Sequence, residues 1–325
     1  IKILTMAALA TAVFASCSNE DGLPQSNYPA DNVVRIMTSV DGMNTRASYG
    51  NSTDKLKSFG FCIKNANREK YTYDNIKVSQ KGYNWIPATQ MLWQNSTTAV
   101  DILAYAPYQE TTEDANGKVK VFGKTDYAFS VKEDQSNAED YSSDLIVFKQ
   151  TGFTPVLELN TSKAVEVAFT HLLSQLNLII ELRDQFNTNN NTVTKGFVTD
   201  VKVNGTIISS KVDFSASPIS VQVDGTQTAA ITPETTGFTP AENATAHAVF
   251  NYSAIVIPQT VAAGNFSISF KVNNTEYIWT ATDAVTFESG KKHELHLLAG
   301  KDVVQGGAIS AIPWGDETIT EKETD

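Results

Sequence analysis

Short runs of alternating apolar and polar residues dominate this chain. In VVRIMTSV, residues 33–40, Val34, Ile36 and Val40 fall on one face, while Arg35, Met37 and Ser39 fall on the other. Side chains of a strand alternate between faces, so this pattern predicts a half-buried strand. Asp41-Gly42 ends it, and a lone Arg46 follows among small polar residues. The same reasoning predicts strands near 56–64, 70–78, 99–106, 127–131 and 144–148. A second series is predicted near 164–169, 176–182, 197–203, 248–257, 265–272, 275–281 and 293–298, closed by AISAIPW at 308–314. Polar stretches at 108–126, 133–143 and 187–194 read as loops or long hairpin tips. No 3.6-residue period is sustained beyond the first residues, and HLLSQL at 171–176 allows at most a turn or two of helix. An all-β chain of two sandwiches with about seven strands each fits this spacing. Gly152, Pro155 and the polar NTSK put the boundary near 163, giving 47–163 and 164–325 as the two domains.

Composition adds limits. At about 150 residues per domain, 325 residues fit two domains, each large enough for its own core. The net charge of −11 argues against a nucleic-acid partner, and no basic patch with interleaved aromatics occurs. Ile3 to Ala15 is an apolar run after Lys2, too short to span a bilayer, so 1–16 reads as a targeting segment. Small residues in FASC directly precede Cys17, which resembles a bacterial lipobox. Residues 17–46 would then be a lipidated tether ending in the first strand. With Cys17 carrying lipid, Cys62 has no partner for a disulfide, so stability falls to core packing. No cationic cluster flanks Cys62, which makes a buried structural role the expectation.

Chemistry-bearing constellations are few. His293-Glu-Leu-His296 lacks the i, i+4 spacing of a helical zinc motif, and positions three apart on a strand face opposite sides. His171, beside apolar residues, has no visible nucleophile or acid partner. No phosphate-cradling Gly-rich loop, Gly-x-Ser-x-Gly elbow or EF-hand spacing is present. Trp85, Trp93, Trp279 and Trp314 would allow a sugar-binding surface, but strand aromatics usually fill cores. No enzyme activity and no cofactor or metal are expected.

Several segments together resemble the fimbrillin-like family, subunits of type V pili. They are VEVAFTHLLSQLNLII at 165–180, IPATQMLWQ at 86–94, DILAYAPY at 101–108, SSDLIVFKQ at 142–150, YIWTAT and VTFESGKKHELHL within 277–297, and AIPWGDE at 311–317. The resemblance implies two transthyretin-like β-sandwich domains with Greek-key-type strands. It also implies export as an outer-membrane lipoprotein through Cys17, cutting by an arginine-specific protease between Arg46 and Ala47, and then assembly at the cell surface into a fimbria. There the first strand, with Val34, Ile36 and Val40, would be displaced. A donor strand from another subunit, here Ala308, Ile309, Ala311, Ile312 and Trp314 of an unattached tail, would replace it. Expected partners are other pilus subunits and a host or bacterial surface ligand for adhesion. The alternative is a surface lipoprotein that binds glycan or host protein without polymerising, or an anchor or tip subunit. If the three inward residues are buried, they contribute about 5–9 kcal/mol, comparable with the ~5–15 kcal/mol stability of a whole domain.

Overall fold

The computed structural model describes residues 27–40, 55–110, 121–187 and 193–314. The first part of the chain forms β1 (Ile36–Val40), β2 (Ser58–Lys64), β3 (Tyr73–Lys81), β4 (Asn84–Pro87), β5 (Val100–Ala106), β6 (Tyr127–Ser130), β7 (Ile146–Phe153) and β8 (Val165–His171). The second forms β9 (Ser174–Leu182), β10 (Val198–Ile207), β11 (Ser209–Asp213), β12 (Ser220–Val223), β13 (Thr228–Ile231), β14 (Glu234–Thr239) and β15 (Ala248–Val256). It continues with β16 (Gln259–Val261), β17 (Ser267–Val272), β18 (Thr275–Thr280), β19 (Val285–Phe287), β20 (Lys291–Ala299), β21 (Val304–Gly306) and β22 (Ser310–Pro313). One four-residue helix, α1 (Pro155–Glu158), begins with its proline, where the missing N–H costs nothing.

A seven-stranded sheet runs β1-β8-β7-β5-β2-β3-β4. Both of its faces are packed. Phe59, Phe61, Ile102, Val167 and Phe169 face one core. Cys62, Leu103, Tyr105 and Val147 face the other. Beyond it, a six-stranded sheet, β14-β15-β9-β20-β21 with β22 also on β20, stands against the four-stranded β13-β10-β17-β18. Strands β8, β17 and β20 alternate almost perfectly between buried and outward positions, as period-2 patterning requires.

The pairing differs from expectation in two respects. Residues 165–171, assigned above to the second unit, pair with β1 and β7 in the first sheet, and the chain crosses to the other sheets at Leu172-Leu173. HLLSQL forms no helix, because β8 ends at His171 and β9 starts at Ser174. The two halves also share a sheet: β6 pairs with β11. Lys149 reinforces that junction, its ammonium donating to the carbonyls of Phe214, Ser215 and Ala216 at 2.8, 2.9 and 2.7 Å.

Candidate functional site

The N-terminal segment is bound along both sides. From Asn32 to Val34 it runs antiparallel to 91–93: the Val34 N–H donates to the Met91 carbonyl (3.0 Å), and the Trp93 N–H donates to the Asn32 carbonyl (2.8 Å). The Val165 N–H then donates to the Arg35 carbonyl (2.8 Å), and β1 runs parallel to β8, from Ile36 opposite Val165 to Val40 opposite Phe169. Val34 and Ile36 are 2 % and 6 % exposed, whereas Met37 on the other face is 47 % exposed. Both belong to the buried core that also holds Val165, Val167, Phe169, Met91 and Trp93. Val40 belongs to β1 by its backbone, but its side chain lies outside the described residues, as do Cys17, Arg46 and Ala47.

At the entry to this segment Asp31 and Arg35 form a two-point ion pair, with N–O distances of 3.0 and 2.6 Å. The hydrogen-bonding Arg35 guanidinium holds the Asp31 carboxyl down at about 2. The edges of the seven-stranded sheet, β1 and β4, leave a cleft of about 750 Å³ between them. Arg35 and Met37 line one wall, and Trp85, Ile86 and Pro87 the other.

The C-terminal segment is not unattached, as the sequence suggested. β22 pairs antiparallel with the first half of β20, from Lys291 opposite Pro313 to Glu294 opposite Ser310. Without it that part of β20 would present an open edge. Its hold through side chains is slight: Ala308 and Ala311 are exposed, and Ile309 and Ile312 are half-buried. Trp314 is the exception at 4 % exposure. Its ring lies 4.0 Å from that of His171 at an interplanar angle of 8°, and its backbone N–H donates to the Gly290 carbonyl at 3.3 Å. His171 is in turn fixed by Asp144 at 2.9 Å, with both side chains fully buried. A second cleft, about 480 Å³, opens between 306–311 and 279–286.

Sequence reasoning missed the His171–Asp144–Trp314 cluster. His171 and Trp314 both lie in the segments quoted for the resemblance, but nothing local signals that they meet. It also missed Glu181, which pairs with both His296 (2.6 Å) and His247. His293 faces inward, where its Nε2 accepts the Glu288 N–H at 3.1 Å, so the two histidines of His293-Glu-Leu-His296 lie on opposite sides of β20. Trp93 stacks on Phe153 at 5.7 Å and Trp85 packs edge-on against Phe59 at 5.1 Å. Cys62 is buried, and that burial pushes its thiol well up, away from reactivity. Among the described residues no group of three or more His, Cys, Asp or Glu side chains could hold a metal ion.

No curated protein matches this chain. Among solved structures it resembles a proposed cell adhesion protein from Bacteroides ovatus (TM-score 0.60, 13 % identity, 88 % of this chain and 99 % of that one). It also resembles a proposed cell adhesion protein from Bacteroides uniformis (0.58, 17 %, 87 % and 100 %). A fimbrial protein from Bacteroides vulgatus is similar as well (0.52, 17 %, 86 % and 99 %). At these identities the likeness is one of fold. The fimbrillin-like family profile matches residues 45–314, most of the chain, from just before Arg46 to the buried Trp314. The chain therefore belongs to the fimbrillin-like family, and so to surface proteins related to fimbrial subunits and adhesins.

Proposed function

We propose that this protein is a structural subunit of a type V pilus. In this reading it is exported as a lipoprotein through Cys17, cut between Arg46 and Ala47, and polymerised by strand exchange. The observation that carries the reading is the placement of β1. This strand supplies buried Val34 and Ile36, has β8 as its ladder partner, and ends six residues before Arg46. A cut at Arg46 would separate it covalently from the folded body. Its departure would uncover Val165, Val167 and Phe169, all fully buried while β1 is present. An extended segment of another subunit can replace both the ladder and the apolar contacts, with main chain giving affinity and alternate side-chain pockets giving selectivity. The C-terminal segment, largely exposed but for Trp314, is the donor we assign.

A second reading, an anchor or non-polymerising surface lipoprotein, draws support from the docking of β22 on its own subunit. N-terminal sequencing of the protein recovered from cells separates the two: Ala47 is expected for the pilin, lipidated Cys17 for the alternative. Electron microscopy before and after a trypsin-like protease should show filaments only after cutting. Cut protein that stays monomeric and stable would overturn the pilin reading.

A further inference from the structure

Both exchangeable segments rest on one strand. Residues 165–169 of β8 have β1 as their ladder partner, whereas β7 reaches β8 only at Thr170 and His171. His171, the last residue of β8, carries the Trp314 ring that ends the C-terminal strand. The turn beneath Trp314 is bound to the same place. The Ser289 hydroxyl donates to the Leu172 carbonyl (2.6 Å), and the Gly290 N–H donates to the Leu173 carbonyl (2.9 Å).

We propose that β8 couples the two ends of the subunit: while β1 is seated, β8 holds His171 beneath Trp314, and loss of β1 loosens that seat and frees the C-terminal strand. This rests on the strand-exchange reading and adds an order of events to it. One cut would open the acceptor groove and, in the same molecule, release the donor.

Three features support the coupling. Without β1, the ladder left to β8 is its pairing with β7 at Thr170 and His171, continued by the Leu172 N–H on the Leu145 carbonyl (2.9 Å), and residues 165–169 keep no ladder partner. The Trp314 Nε1 and His171 Nε2 atoms are buried without a hydrogen-bond partner among the described residues, so unstacking returns both to water. Gly307, between β21 and β22, then supplies a pivot next to the anchored Gly306. A Cβ on Gly306 would come within 2.3 Å of the Trp279 ring, while around Gly307 there is open space. The cleft behind 306–311 leaves the segment room to move.

Hydrogen exchange on the full chain tests this. Ile36→Asp should eject β1 without any cut, seen as lost protection at Val165–Phe169. Amides of Ile312 and Trp314, which face β20, should then exchange at least tenfold faster. If Ile36→Asp does not fold, protease-cut protein serves instead, and adding a synthetic 33–40 peptide should restore protection at both places. His171→Ala should speed exchange at Ile312 and Trp314 while leaving 165–169 protected. Opening at 165–169 with unchanged exchange at Ile312 and Trp314 overturns the coupling, as does an unaffected tail in His171→Ala. Filaments absent despite faster exchange at the tail would count against strand exchange and leave the coupling standing.

Discussion

The two end segments of this chain occupy sheet edges in contrasting ways. β1 pairs in parallel with β8 and sends Val34 and Ile36 into the core of the seven-stranded sheet. β22 pairs antiparallel with β20, shows most of its side chains to solvent, and has its main apolar anchor in Trp314. Equivalent ladders therefore carry unequal energetic weight. Removing β1 costs the burial of at least two branched aliphatic side chains, about 3–6 kcal/mol before chain entropy is counted. Removing β22 costs mainly one ring stack and a short ladder. If the subunit assembles by strand exchange, as proposed above, a first strand that stays until it is cut and a last strand that leaves readily would be built in these two ways.

The contrast can be broken at several points. The largest effect is expected from Ile36→Asp, which places a charge among Val165, Val167 and Phe169 and should destabilise the fold by about 4 kcal/mol or more. Urea unfolding measures this, and a change below 1 kcal/mol would show that β1 is dispensable to its sheet. Trp314→Ala should cost about 2–3 kcal/mol, less than a fully enclosed tryptophan, because the site lies at the end of an edge strand. An equal or greater loss than for Ile36→Asp would reverse the ranking. Ala311→Asp, on the exposed face of β22, should change stability by less than about 0.5 kcal/mol in the same assay. The smallest effect concerns Asp31. Its pKa in the fold, about 2, lies below the ~3.9 of a free carboxyl, so its pairing with Arg35 stabilises the seated segment above pH ~4. That contribution is lost as pH falls from about 4 through about 2. Asp31→Asn should lower stability by a small margin near pH 7, and the difference from the parent protein should shrink as pH falls from about 4 to about 2.

Much of this arrangement was legible along the chain, for reasons that name its limits. Val34 and Ile36 alternate with Arg35 and Met37, so period-2 patterning alone placed the inward face. The same rule put His293 and His296 on opposite sides of β20. It failed for β11 through β14, whose short Ser/Thr-rich runs are half-exposed and imitate loops. It failed again at 165–171, where the alternation was right but the partner was wrong. A strand's pattern specifies which side is buried and says nothing of which neighbour it joins. The stack of Trp314 on His171 was invisible for a related reason, since contacts between residues so distant in sequence leave no local period. The docking of β22 was hidden too, because a small-residue run with one tryptophan reads equally well as a tail or as an edge strand.

The passage from β8 to β9 has a mechanical consequence. Only Leu172 and Leu173 separate these strands, and β9 lies parallel to β20 from Gln175 opposite Lys292 to Leu182 opposite Ala299. Traction applied between the β1 seat and the β22 seat would thus travel through adjacent central strands instead of surface loops. Sliding β9 past β20 would strain many hydrogen bonds at once, whereas peeling them would break one at a time. A fibre of such units would resist drag from flowing fluid through the length of that shared ladder.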